Sequence, residues 1–362
     1  MQKIKTHDKI PNSKAFNAYK REVFAVPTLA DVAARAGVSI ATVSKVLSNT
    51  PYFSEETRQK VLAAVEAVGY VPNLAARALS SGKTGIIGVV FPRVYDAVFT
   101  DPLAQHILEG VEAACIDNGY NLLLSTPYVN SDKPDERYLK LLESGYVEGL
   151  IALDNVPRTS IVKPALEKEI PTISIGYGPN PLYVRSDDHG GAKNLMQYIL
   201  SLGHQHIGII SVDERLNYAI SPRMNGLRAA IQEAGLDFEQ LPIGYGDFST
   251  KSGFICAQKL LSEHPELTAL VCINDRMALG AIQYARSVGR KVPHDLSIVG
   301  YDDIPLAQFT DPPLTTINQH GPKLGHRAIE MLLSLLQGET PKSEIIPTEL
   351  VVRQSSAFLA ER

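Results

Sequence analysis

The sequence predicts an α/β protein in two unlike parts: a small all-helical N-terminal domain, then a large body built on parallel sheets. Three observations carry this. Residues 1–84 hold 12 Lys and Arg against 6 Asp and Glu, a balance of +6, whereas the whole chain of 362 residues carries −4. A basic end is therefore attached to an acidic body, which suits a polyanionic partner for the end alone. Residues 28–69 contain three closely spaced helix-start signals. From residue 85 onward, short apolar runs alternate with helical stretches, the pattern of βαβ units.

Composition narrows the class further. At 44% hydrophobic and 20% charged residues, the chain can bury more than one core. Cys115, Cys256 and Cys272 are far apart and show no CxxC spacing, so neither a disulfide framework nor a cysteine metal site is expected. A reducing cytoplasm fits best. No apolar run reaches about 18 residues, and residues 1–27 lack the continuous apolar stretch of a signal peptide, so no membrane partner is expected. Residues 1–27 read as a mobile tail.

In "TLADVAARAGVSIATVSKVLSNTPYFSEETRQKVLAAVEAVG", side-chain oxygens mark each helix start. Thr28 with Asp31 forms a capping-box pattern, Ser39 precedes "IATVSKVL", and Ser54 precedes "EETRQKVLAAVEAVG", where Glu55 and Glu56 suit the positive helix end. Gly37 stops the first helix and Gly69 the third. Little more than Gly37-Val38 separates the first two helices, which is helix-turn-helix spacing. Leu29, Val32, Ala33, Val38, Val43, Val46, Leu47, Val61, Leu62 and Val65 are the expected core.

A helix-turn-helix lays its second helix in the DNA major groove. Ile40, Ala41, Ser44 and Lys45 then point outward while Val43 and Val46 point in. Ile40 and Ala41 can touch thymine methyls, and Lys45 can donate to guanine O6 or N7. Thr28, Leu29, Ser39, Thr42, Ser54 and Thr57, at or near the helix starts, complete the candidate DNA-contacting set. The competing reading is a small helical bundle that binds protein.

The segment "SSGKTG" brings to mind a phosphate loop, but that motif needs a glycine five residues before its Gly-Lys pair, and Arg77 stands there. The order strand, loop, helix is also reversed. The segment is read as the seam between the two parts.

"TLADVAARAGVSIATVSKVL" followed by "YVPNLAARAL" closely resembles the N-terminal end of the lactose-repressor (LacI/GalR) family of bacterial transcription regulators. The resemblance implies that "NLAARAL" folds into a hinge helix on DNA, capped by Asn73, with Leu79 wedged into the central minor-groove step. An apolar wedge of this kind unstacks and kinks a base step. It also implies a homodimer on a near-palindromic operator with a central C-G step. Where the family usually has Arg and Asn, this chain has Lys45 and Ser48; lysine lacks the planar fork of arginine, so base preference is expected to differ. Taken alone, "NLAARALSS" could equally be an amphipathic turn in a linker. The expected boundaries are 28–72 for the DNA-binding domain, 73–84 for hinge and linker, and 85–362 for a two-lobed sensing and dimerisation core.

In the body, strands are expected at "GIIGVVF", "YNLLLST", "GLIAL", "PTISIG", "HIGIISV", "ALVCIN" and "LSIVGYD". Helices are expected near 101–118, 189–202, 222–234, 249–263, 275–289 and 320–337. The turn-rich "GYGPNPLYVRSDD" suits a crossing between two lobes. The body resembles the two-lobed periplasmic sugar-binding fold that the family uses as its sensor, up to about residue 353. In such folds small ligands bind between the lobes, at the carboxyl ends of strands.

On that resemblance, "SPRMNGLRAAI" places Arg223 at the ligand and "GDFSTKSGF" supplies Phe248 as a stacking ring. "INDRMALGAI" makes Asp275 a hydroxyl acceptor beside Asn274, Gln319 lies near the interlobe crossing, and Asp101 matches a family Asn that faces sugar. The residues by themselves leave other readings open: Asp275 as a helix cap, Arg223 in a surface ion pair, Phe248 in the core. His204 and His206 lack a third ligand nearby, so "GHQHIG" is read as a strand-entry turn, with no metal or cofactor implied. The function expected is a DNA-binding regulator, a repressor, whose operator affinity responds to a small ligand, most naturally a sugar. The alternatives are a sugar-binding protein without a regulatory role and an α/β enzyme, the latter disfavoured because no GxSxG or complete phosphate loop is present.

Overall fold

The computed structural model describes residues 27–47, 53–71, 83–93, 98–128, 135–155 and 161–359. They fall into two units, within Met1–Thr84 and Gly85–Arg362. Ser48, Asn73 and Leu79 lie outside the described residues.

The first unit consists of α1 (Leu29–Ala36), α2 (Ile40–Leu47) and α3 (Glu55–Val68). The capping box at α1 is formed in both directions: Thr28 N donates to Asp31 Oδ2 at 2.8 Å, and Asp31 N donates to Thr28 Oγ1 at 3.4 Å. Gly37 (φ 66°) and Gly69 (φ 63°) end α1 and α3 in the left-handed region, which a side chain would disfavour. Val32, Ala33, Val43, Val46, Val61, Ala64 and Tyr70 form the core. Each fully buried valine stabilises the unit by about 1.5–3 kcal/mol relative to exposure. Leu62, expected in this core, is 42% exposed. On α3 the inward stripe runs Val61, Ala64, Val65, Val68 at helical spacing, and Leu62 sits about 100° away from its neighbour Val61.

The second unit runs β1 (Ile86–Val90), α4 (Pro102–Asp117), β2 (Asn121–Ser125), α5 (Glu136–Glu143), β3 (Gly149–Asp154), α6 (Lys163–Glu167), β4 (Thr172–Gly176) and β5 (Tyr183–Ser186). It continues with α7 (Asp188–Ser201), β6 (Ile207–Val212), α8 (Ile220–Glu233), β7 (Ile243–Gly246), α9 (Thr250–Glu263), β8 (Ala269–Cys272), α10 (Asp275–Ser287) and β9 (Ser297–Val299). The last elements are β10 (Thr316–Asn318), α11 (Gly321–Leu336), β11 (Glu344–Ile346) and β12 (Glu349–Val351). Two parallel sheets result, ordered β11-β5-β4-β3-β1-β2 and β7-β6-β8-β9.

Both faces of the first sheet are covered. Ile87, Val89, Ile151 and Ile173 pack with residues of α4 and α11, while Val90, Leu150 and Ala152 pack with residues of α5 and α6. Burial on both faces is why these strands read as continuous apolar runs. The second lobe has its own core around Ile207, Ile209, Ile210, Leu270 and Ile298.

The chain passes between lobes after β5, after β10 and after β11. These passages are tied together: Ser186 Oγ donates to Gln319 O at 3.1 Å, and Asp187 N donates to Ile346 O at 2.9 Å. The segment "GYGPNPLYVRSDD" is thus only partly a crossing. It contains β5, a strand of the first sheet, and the crossing follows at Asp187. β5 is short and alternates half-buried Tyr183 and Arg185 with buried Val184 and Ser186. The Arg185 guanidinium lies over the Tyr177 and Tyr183 rings, at 4.3 and 4.5 Å.

Candidate functional site

In the N-terminal unit, the start of α2 is held by Ser39, whose Oγ accepts from Thr42 N at 3.1 Å and pairs with Thr42 Oγ1 at 2.8 Å. Ser54 does the same for α3 through Thr57 N at 3.3 Å and Thr57 Oγ1 at 2.9 Å. Thr28 Oγ1 donates to Asp31 Oδ2, and these bonds hold the Asp31 carboxyl below its ordinary range. The hydroxyls of Thr28, Ser39, Thr42, Ser54 and Thr57 are therefore engaged in building helix starts. Leu29 packs against the core instead of standing clear of it. Val43 and Val46 anchor α2 inward, which leaves Ile40 (52% exposed), Ala41 and Lys45 on the surface and Ser44 half-buried. Ile40, at the first position of α2, is apolar yet is not among the residues that pack in this core.

In the second unit, a cavity of about 170 Å³ opens at the carboxyl ends of strands from both sheets. Phe91, Asp101, Ile107 and Asn155 line it from the first lobe; Asn217, Arg223, Phe248, Asn274, Arg276, Asp302 and Ile304 line it from the second. Asp101 is the N-cap of α4, its Oδ1 accepting from Leu103 N and Ala104 N at 3.0 and 3.1 Å.

Arg223 is 5% exposed and forms the hub. Its Nε donates to Asp188 Oδ1 at 2.6 Å and one terminal nitrogen donates to Ile273 O at 2.8 Å, while Asp302 Oδ1 lies 3.6 Å away. The guanidinium also stacks 4.0 Å over the Tyr301 ring. Burial works against its charge, but Asp188, Tyr301 and Asp302 outweigh burial and hold it protonated. Arg223 is thus not in a surface ion pair: the pair is buried.

Phe248 adopts a left-handed backbone (φ 68°), and its carbonyl accepts from Asn274 Nδ2 at 3.1 Å. Asn274 in turn caps α10, Oδ1 accepting from Met277 N at 2.9 Å. Asn274 lines the cavity and braces the residue that carries the ring.

Two expectations need correction. Asp275 does not line the cavity; it is fully buried beneath it, Oδ1 accepting from Thr316 Oγ1 at 2.5 Å and Oδ2 from Ile304 N at 2.9 Å. Burial pushes its carboxyl up to about 7, against the opposing pull of those two hydrogen bonds. Gln319 also lies behind the wall, donating Nε2 to Asp302 Oδ1 at 2.6 Å. Among the described residues two carboxyls line the cavity, Asp101 and Asp302; Asp302 stands at φ 128°, and burial pushes its pKa well above the ordinary carboxylate range against the pull of Arg223. Asp275 instead holds the loop that presents it.

Asp302, Asn155, Asn217 and Arg276 were not singled out from sequence. Asn155 and Arg276 stand just past the expected strands "GLIAL" and "ALVCIN", and Asp302 closes "LSIVGYD", positions where ligand sites of open α/β sheets gather. His204 is 3% exposed and spent on Thr268 Oγ1, Ser297 Oγ and Ala357 O, at 2.9–3.0 Å. Among the described residues no cluster of His, Cys, Asp and Glu could hold a metal ion, and no helix is long and apolar enough to cross a membrane.

Residues 28–73 match the family described as bacterial regulatory proteins, lacI family, and residues 196–356 match a periplasmic binding protein-like domain. The chain is 32% identical over 339 residues to the HTH-type transcriptional regulator CelR of Thermobifida fusca, covering 91% of this chain and 98% of CelR. It is 34% identical over 334 residues to the HTH-type transcriptional repressor PurR of Histophilus somni (strain 129Pt), again covering 91% and 98%. Among solved structures, a lac repressor dimer bound to operator and the anti-inducer ONPF superposes with a TM-score of 0.81 at 27% identity, covering 92% of this chain and 99% of that one. A CelR–cellobiose complex superposes with a TM-score of 0.69 at 30% identity, covering 91% and 99%. The resemblance read from the helix-turn-helix and body motifs is borne out along nearly the whole chain, and the chain belongs to the lacI family of bacterial regulatory proteins.

Proposed function

We propose that the cavity takes a sugar, and that its occupancy sets how tightly a homodimer of this chain holds a near-palindromic operator. The observation that carries this is the Arg223–Asp302 pair. It faces the cavity, yet Asp188 and Gln319, its other partners, sit on two of the three passages between lobes. A ligand hydroxyl that engages this pair acts directly on the elements whose geometry decides lobe closure. Phe248 offers an apolar face to a sugar ring, while Asp302 and Arg223 supply acceptor and donors to vicinal hydroxyls. The cellobiose complex of CelR supports a carbohydrate over other small ligands.

On the DNA side, Ile40, Ala41, Ser44 and Lys45 read base edges. Thr28, Leu29, Ser39, Thr42, Ser54 and Thr57 position the helix starts against the backbone. Asn73 and Leu79, outside the described residues, are proposed as DNA contacts of the linker, Leu79 at the central C-G step. Asp101, Asn274 and Phe248 belong to the ligand site, with Asp275 and Gln319 supporting it from behind. The protein works in the cytoplasm and catalyses no reaction. Recovering genomic fragments bound by the purified protein tests this reading. An enriched near-palindrome is expected; retention of DNA only at low salt and without sequence preference would overturn it.

A further inference from the structure

Asn155, at the end of β3, and Asn217, ahead of α8, line the cavity from opposite lobes. In each, the carboxamide oxygen is already spent. Asn155 Oδ1 accepts from Tyr177 N at 3.0 Å, and Asn217 Oδ1 accepts from Ala219 N at 2.8 Å. These bonds settle which end of each amide is oxygen and which is nitrogen, and neither Nδ2 donor has a hydrogen-bond partner among the described residues. The Asn155 amide rests on Gly176 (φ 122°), where a Cβ would overlap it. Beside them, Tyr218 N donates to Asn155 O at 2.8 Å, a backbone bond between lobes at the exposed rim.

Cavity size adds a second constraint. A void of about 150 Å³ holds one benzene-sized ring, and this cavity measures about 170 Å³. One ring of that size fills the cavity, and a second ring would have to extend to the rim, where Tyr218 N bonds Asn155 O. We propose that Asn155 and Asn217 are a specificity-determining donor pair, one from each lobe, that selects a single-ring sugar through its oxygen acceptors and excludes a disaccharide. This rests on the reading of the cavity as a sugar site.

The test is calorimetric titration of the full chain with glucose, galactose, fructose, ribose and cellobiose, repeated with Asn155→Asp and Asn217→Asp. Aspartate keeps an oxygen for Tyr177 N or Ala219 N, so the fold is retained while the donor is lost; a melting curve checks this. At least one monosaccharide is expected to bind, with cellobiose about tenfold or more weaker and each variant weakened by about tenfold or more. Deoxy analogues of the sugar that binds supply an independent readout. The position that loses affinity in the wild-type chain should lose none further in the variant lacking its donor. Cellobiose binding as tightly as any monosaccharide, or variants that bind like the wild type, would overturn the donor pair and leave the sugar site standing. Binding of none of these sugars would overturn the sugar reading itself, and the donor pair with it.

Discussion

Arg223 is a buried charge that lines the cavity and pairs with two buried carboxyls. Removing it leaves Asp188 and Asp302 buried without their cation, a change that costs about 3–5 kcal/mol in such pairs. Arg223→Ala is expected to lower the melting temperature markedly as well as weaken ligand binding, and thermal denaturation of the ligand-free protein checks the first effect. Asp275 makes a different prediction. Its carboxyl, raised to about 7 by burial, binds a proton more readily folded than unfolded. The stability it contributes is therefore present below the ordinary carboxylate range and lost as pH rises toward 7. Asp275→Asn removes this dependence, so the stability of wild type relative to the variant should increase as pH falls from 7 to 5 in parallel urea titrations. A constant difference would contradict the assignment. From sequence, Asp275 and Asp302 were hard to tell apart, since each is an aspartate just past a buried strand. What separates them is the turn: Asp275 opens α10 facing the loop above, while Asp302, at φ 128°, is turned toward the cavity.

Elements with strong periodicity were legible. α4, α7, α8, α9, α10 and α11 fall within two residues of the helices expected from spacing; β1, β2, β4, β6, β8 and β9 lie inside the expected apolar runs, and β3 exceeds its run by Asp154. What escaped were β5, β7, β10, β11, β12, α5 and α6, which are short or only half-buried and draw their order from neighbours instead of from their own pattern. In the first lobe, α4 and α11 approach so closely that a Cβ at Gly110 would run into the Pro322 carbonyl. Gly110→Ala must push these helices apart and is expected to destabilise the protein by about 1–3 kcal/mol, measured by thermal denaturation. In the first unit, α2 presents Lys45 from a helix fixed by Val43 and Val46. Lys45→Ala is expected to cost about 1–3 kcal/mol of specific DNA binding while changing non-specific binding less, read from anisotropy titrations on matched and scrambled duplexes.

At the scale of the whole molecule, the charge asymmetry and the change of pattern at residue 85 were enough to separate a basic helical end from an α/β body. The wiring of the site was not legible, because Asp188, Arg223, Asp302 and Gln319 are distant in sequence and meet only through the crossings. Ligand and DNA are linked only to the extent that the ligand binds one state of the protein better than another, commonly about 1–3 kcal/mol of coupling. The direct measurement is a titration of the recovered operator duplex with purified protein, with and without a saturating concentration of the sugar that binds the cavity. The midpoint is expected to move by roughly 5- to 150-fold, and Phe248→Ala, which removes the proposed stacking ring, is expected to reduce the shift at the same sugar concentration. An operator affinity unchanged at saturating sugar would contradict that linkage.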